Sequence, residues 1–159
     1  MMKQRKWITY GFWILLSLGT GVLSGLLTRS GTAEFSRSAM QPPPSPPAIL
    51  FPIVWTILYL LMGINAARVS LREPSPERSR GLNLFVAQLI VNFFWSPIFF
   101  NAKAYGFALL WLILLWVLVF AMIRSFRKTD PLAALLQIPY LLWLTFAAYL
   151  NLGVWYLNP

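Results

Sequence analysis

The sequence predicts an all-α membrane protein, a single domain of five transmembrane helices. Three observations predict it. Of 159 residues, 58% are hydrophobic and only 11% are charged, a balance that no ordinary soluble domain has. The apolar residues gather into five runs, at 7–27, 48–69, 82–100, 105–123 and 135–156. At about 1.5 Å per residue, each is long enough to cross a hydrocarbon core of roughly 30 Å. Nearly all the charges fall between the runs, where a polytopic chain meets water and headgroups.

The first run, Trp7 to Leu27, follows Lys3, Arg5 and Lys6 and so imitates a secretory leader. Its length and the want of a small-x-small cleavage site favour a retained helix. Ser17, Gly21 and Gly25 recur every four residues in it, a small-residue stripe that lets a second backbone approach. Residues 28–47 form a proline-rich segment with Pro42, Pro43, Pro44, Pro46 and Pro47. It is far longer than two helices need for a connection, which makes it a candidate lid. Arg29 and Arg37 in this lid are candidate partners for an anionic ligand group.

The second run places Pro52 in its first turn, where a missing N–H costs little, and then repeats Trp55, Tyr59, Met62 and Ala66 on one face. The third is the most polar. Gln88, Asn92, Trp95 and Phe99 share a face, with Ser96 beside them, and Pro97 should bend the end of the helix. An amide in hydrocarbon without a partner costs several kcal/mol, so Gln88 and Asn92 must face protein or ligand. The fourth run, Tyr105 to Ile123, is a nearly featureless scaffold or lipid-facing helix, and the short link before it forces it antiparallel. The fifth has Tyr140, Trp143, Ala147, Leu150 or Asn151, and Val154 at helical steps. Lipid asks for none of these polar or aromatic groups, so the face serves helix packing or a ligand.

Composition excludes several functions. The chain has no cysteine and no histidine, which removes disulfides, thiolate catalysis, zinc sites and His-ligated haem. A tetrapyrrole would be held without the usual axial ligands. The net charge of +9 sits beside apolar runs instead of forming an aromatic-studded basic patch, so anionic headgroups are the expected partner and nucleic acid is not. Ten basic residues fall on one side of the five spans and three (Arg29, Arg37, Lys103) on the other. The positive-inside rule then puts the amino terminus in the cytoplasm, and the lid and carboxyl terminus outside.

Three stretches together resemble a known family. They are Pro46-Pro47-Ala48-Ile49-Leu50-Phe51-Pro52-Ile53-Val54-Trp55-Thr56-Ile57-Leu58-Tyr59, then Gln88-Leu89-Ile90-Val91-Asn92-Phe93-Phe94-Trp95-Ser96-Pro97-Ile98-Phe99-Phe100, then Pro139-Tyr140-Leu141-Leu142-Trp143 with Phe146-Ala147, Leu150-Asn151 and Trp155. Their order and spacing resemble the translocator protein family, also called TspO/MBR, tryptophan-rich sensory proteins or peripheral benzodiazepine receptors, and the likeness to its bacterial members runs the length of the chain.

The resemblance implies a five-helix bundle, often a homodimer, in a bacterial membrane, with a pocket opening toward the first loop. It implies porphyrins such as protoporphyrin IX as ligands, with no cofactor required, together with isoquinoline carboxamide and benzodiazepine-type drugs. The residues it assigns to ligand binding are Trp55, Tyr59, Asn92, Trp95, Ser96, Phe99, Tyr140, Trp143, Phe146, Ala147 and Asn151. Trp143 and Trp55 are also the candidates for light-dependent protoporphyrin degradation. The lid departs from the family pattern. Where members carry Trp-Tyr, Leu and Lys-Pro, this chain has Phe35-Ser36, Ala39 and Gln41-Pro42, so Arg29 and Arg37 are left to supply a cation. Tyr149 and Tyr156 lack the following basic residue of the animal sterol motif, which leaves sterol specificity without support.

The leading function is therefore a membrane receptor, sensor or carrier for porphyrin-like ligands. The alternatives are porphyrin photodegradation, in which the ligand carries the chemistry, and a bundle that regulates another membrane protein. No charge lies mid-span for ion-coupled transport.

Overall fold

Residues 2–159 are described by a computed structural model. Five long apolar stretches cross the bundle: Lys3–Leu27, Leu50–Ser70, Pro76–Asn101, Tyr105–Thr129 and Pro131–Leu157. In chain order the helices are α1 (Met2–Leu27), α2 (Arg29–Ser38), α3 (Leu50–Ser70), α4 (Pro76–Ser96), α5 (Tyr105–Thr129), α6 (Pro131–Leu136) and α7 (Ile138–Leu157). A single π-helical turn, Pro97–Asn101, extends α4.

The ends of these helices follow from local chemistry. Ser75 caps α4 by accepting from the Arg78 N–H at 3.0 Å, with Pro76 in the first turn. The expected bend at Pro97 takes the form of the π turn, in which the Ala102 N–H reaches the Pro97 carbonyl at 3.0 Å. The fifth span starts earlier than the sequence pattern indicates and is broken in two. Asp130 caps α6, and the chain tightens at Gln137, whose N–H donates to the Ala134 carbonyl at 3.2 Å. Pro139, two residues on, has no N–H to offer the Leu135 carbonyl, so α6 and α7 form one kinked span.

The segment 28–47 is not a loop throughout. Its first half is the helix α2, and only the residues after Ser38 run irregularly over the end of the bundle. The sequence signal was dominated by the prolines, all of which lie in the second half.

Small residues set the packing of α1 on α3. A methyl placed on Gly63 would lie 2.6 Å from the Ile14 Cα, so the two backbones touch there. Ser17 Oγ donates to the Tyr59 carbonyl at 2.7 Å, and Gly21 sits under the Tyr59 ring. This is the close approach that the stripe of small residues foretells. On its inner face α5 is the scaffold, with Leu112, Leu115, Val119, Met122 and Phe126 buried in one cluster with Met62, Ala66 and Val69 of α3, Phe85 of α4 and Leu144 of α7. On its outer face Leu110, Ile113 and Val117 are exposed, as are Leu15, Val22 and Leu26 of α1 and Leu142 and Leu152 of α7. Such a rim suits acyl chains. The chain is a multi-pass integral membrane protein.

The two ends of the bundle are tied differently. At the α3–α4 turn end, the Asp130 carboxylate is buried and accepts from Arg68 Nε at 3.1 Å and Arg68 Nη2 at 3.2 Å, with Arg72 Nη2 also at 3.2 Å. Burial works against its ionisation. The hydrogen bonds from Arg68, the Ala133 N–H and Arg72 outweigh that and hold its pKa below the ordinary carboxylate range. The opposite end belongs to the lid.

Candidate functional site

Beneath α2, between α1, α3, α4 and α7, lies a cavity of about 620 Å³, within the usual range for a small-molecule site. Its walls are built by helical register. From α3 come Phe51, Trp55 and Tyr59; from α4, Asn92, Trp95 and Ser96, with Phe99 from the π turn; from α7, Trp143, Ala147, Leu150, Asn151 and Val154. Each set recurs at three- or four-residue steps, so one face of each helix is committed to the space.

Aromatic rings dominate. Trp55 and Trp143 stand edge to face, 6.5 Å between centroids and 89° between planes, and Trp55 also leans on Tyr59 at 5.5 Å. On the facing wall Trp95 stacks on Phe99 at 4.9 Å. Phe146 lies outside the lining. It packs against Trp143 at 5.6 Å and stacks on Tyr149 at 6.2 Å, and so buttresses the wall from behind. Ala147 supplies width where a larger side chain would close the space.

The polar groups form two networks. In the floor, the Tyr59 hydroxyl donates to Asn92 Oδ1, Asn92 Nδ2 donates to the Tyr140 hydroxyl at 2.7 Å, and Tyr140 donates to Gln88 Oε1 at 2.7 Å. Tyr140 is therefore beneath the cavity and not in its lining. At the upper wall Trp95 Nε1 donates to Asn151 Oδ1 at 3.2 Å, and Asn151 Nδ2 donates to the Tyr105 carbonyl at 2.8 Å. Trp143 Nε1 is buried and has no partner among the described residues. Among the described residues no lysine, arginine or carboxylate lines the space, so its chemistry is that of ring faces, amides, hydroxyls and indole N–H groups.

The lid closes the end. Phe35 enters the lining from α2, packed on Phe99 at 5.3 Å and on Phe100 at 5.2 Å, and Pro42 and Pro46 roof the space, with Pro42 against Gly153. Pro47 is exposed and outside it. Arg29 and Arg37 are likewise exposed and do not reach the cavity. Glu34 pairs instead with Lys103. That hydrogen bond and charge lower the Glu34 pKa and raise that of Lys103.

The contribution of α1 and α2 is what the sequence pattern concealed. Leu18, Gly21, Val22, Gly25, Thr28 and Thr32 line the cavity. The signal was the small-residue stripe, which reads equally as helix packing. Two of its three residues pack, Ser17 and Gly21. Gly25 does not, because a methyl there would meet nothing within 4 Å.

A family model described as TspO/MBR matches residues 13–157, which takes in part of the first span, the other four and every residue that lines the cavity. The chain belongs to the TspO/MBR family. It is 43% identical over 123 residues to protein CrtK of Rhodobacter capsulatus, covering 77% of each chain. It is 34% identical to the tryptophan-rich protein TspO of Chlorobaculum tepidum, over 98% of this chain and 99% of that one. The likeness extends to animals: the translocator protein of Bos taurus is 35% identical over 91% of this chain and 86% of its own. This TspO/MBR member therefore matches these relatives over three quarters or more of each chain, and the aromatic cavity lies inside the region that the family model matches.

Proposed function

We propose that this TspO/MBR protein is a membrane sensor or carrier that holds a porphyrin, or another flat and largely apolar ligand, in the cavity under α2. The observation that carries this reading is the aromatic space of about 620 Å³ whose lining includes a buried, unpartnered indole N–H, that of Trp143. A filled interior would favour a purely structural regulator, and a cavity of this size counts against one. Stacking on Trp55, Trp143 and Trp95 would contribute about 0.5–1.5 kcal/mol per ring pair beyond burial. The Trp143 N–H would meet a carbonyl or carboxyl oxygen on the ligand edge.

The lining also favours one secondary reading. Trp55 and Trp143 flank the same space, so a porphyrin bound there, excited by light in the presence of dioxygen, would have oxidisable indoles in contact. That activity needs no acid, base or thiol from the chain. The basic end carrying Lys3, Arg5, Lys6, Arg72 and Arg127 faces the cytoplasm in this proposal, with the lid outside.

The test is quenching of tryptophan fluorescence by protoporphyrin IX, titrated in darkness and then under illumination, for the wild type and for Trp143→Phe and Trp55→Phe. Saturable quenching weakened about tenfold by either substitution supports the site. Loss of porphyrin absorbance only in the light, slowed by the same substitutions, supports the photochemical reading. Unsaturable quenching, equal in all three proteins, overturns both.

A further inference from the structure

The roof of the cavity is fastened on every side that the lid touches. A methyl on Gly31 of α2 would lie 2.3 Å from Asn101 Oδ1 and 2.8 Å from the Phe100 carbonyl oxygen, so α2 sits directly on the π turn. Asn101 Nδ2 donates to the Leu27 carbonyl at 2.9 Å, and Glu34 pairs with Lys103. Asn158 takes the Met40 N–H on its Oδ1 at 3.1 Å and gives an N–H to the Met40 carbonyl at 2.8 Å. The Tyr149 hydroxyl donates to the Pro43 carbonyl.

The flank between α1 and α3 is different. Contacts at Ile14 with Gly63 and at Ser17 with Tyr59 fix an antiparallel register that puts Val22 opposite Thr56 and Gly25 opposite Pro52. All four line the cavity and all four are exposed, Val22 by 60%. The helices touch at Gly63, are filled by the Tyr59 ring at Gly21, and leave open space at Gly25.

We propose that this gap is a lateral portal, through which neutral, lipid-soluble ligands pass between the cavity and the membrane leaflet while the lid stays fastened. Val22 and Gly25 form one jamb and Pro52 and Thr56 the other. The inference rests on the cavity being a ligand site, but its route is separable from the ligand's identity. A portal facing acyl chains admits what partitions into lipid and discriminates against charged solutes, because no lining side chain offers a counter-charge.

The chain has no cysteine, so Ala147→Cys puts a single thiol inside the cavity. In lipid nanodiscs its labelling by the lipid-partitioned pyrene maleimide is timed against that by a charged, water-borne methanethiosulfonate. Gly25→Trp, and separately Thr56→Trp, each plug the portal from one jamb; Lys103→Ala loosens the lid. The expected result is pyrene maleimide labelling that outpaces the charged reagent and falls about tenfold with either plug, at unchanged melting temperature, while Lys103→Ala leaves it alone. Labelling indifferent to both plugs, or accelerated by Lys103→Ala, would overturn the portal and give the lid the traffic. Portal-dependent labelling in a protein that shows no saturable porphyrin binding would uphold the route and sink the proposed ligand.

Discussion

Tyr140 shows how much a single hydroxyl holds at the centre of this bundle. It accepts from Asn92 and donates to Gln88, both buried, and Asn92 in turn holds Tyr59. Tyr140→Phe strands Gln88 Oε1 and an Asn92 N–H where no water competes, at a cost of about 1–3 kcal/mol. Thermal unfolding in detergent should show that loss, and Tyr156→Phe, at a side chain 81% exposed, should show none. Ligand affinity should fall with Tyr140→Phe as well, because the freed Asn92 no longer fixes the floor. The four-residue spacing of Gln88 and Asn92 was legible in the sequence as a need for partners. The depth of Tyr140 was not, since a residue under a cavity floor and one lining it occupy the same helical face.

Elements fall into two classes, those that apolar periodicity announces and those that it does not. The five spans belong to the first. Helix α2 belongs to the second: ten residues, RSGTAEFSRS, mostly polar, with Phe35 its one large apolar side chain. Its docking depends on Gly31 having no Cβ, which no pattern of hydrophobicity records. Gly31→Val should push α2 off the π turn, raise cleavage between residues 28 and 47 by added protease several-fold, and speed ligand release, with the spans intact. Unchanged proteolysis would contradict the docking described. The arginine substitution for the missing lid cation was a sequence expectation that the geometry does not favour, since Arg29 and Arg37 are exposed and outside the cavity lining.

Asp130 does for the other end what α2 does for the lid. Its folded pKa lies below its unfolded value near 3.9. Its stabilisation is therefore complete above that unfolded value and disappears as pH falls through the lowered folded one. Melting temperature should be flat from about pH 6 to 8 and decline below about pH 4. Asp130→Asn should melt lower at pH 7, by roughly 1–3 kcal/mol given the partly exposed arginines, and should show a shallower acid decline. An undiminished acid decline in Asp130→Asn would assign it to Glu34 and the other carboxylates. The sequence places Asp130 in a turn; only the fold brings Arg68 and Arg72, about sixty positions earlier, to meet it.

At the scale of the whole molecule, a bundle with both ends tied encloses an aromatic space and offers its flank to lipid. Membrane interiors give helices no hydrophobic reason to part or to join. A cavity survives there only because the contacts around it, Gly63 on Ile14, Asp130 on Arg68 and α2 on the π turn, hold the walls apart at set distances. If this space binds one flat ligand per chain, filling it must cost affinity. Protoporphyrin IX should be titrated in darkness into the wild type and into Ala147→Trp, whose added indole takes up space in the cavity that Ala147 lines. One porphyrin per chain for the wild type, with affinity at least about tenfold weaker for Ala147→Trp at an unchanged melting temperature, is the predicted result. Equal affinity in the two proteins would mean that the porphyrin binds elsewhere on the bundle, and the cavity would lose its claim to be the site.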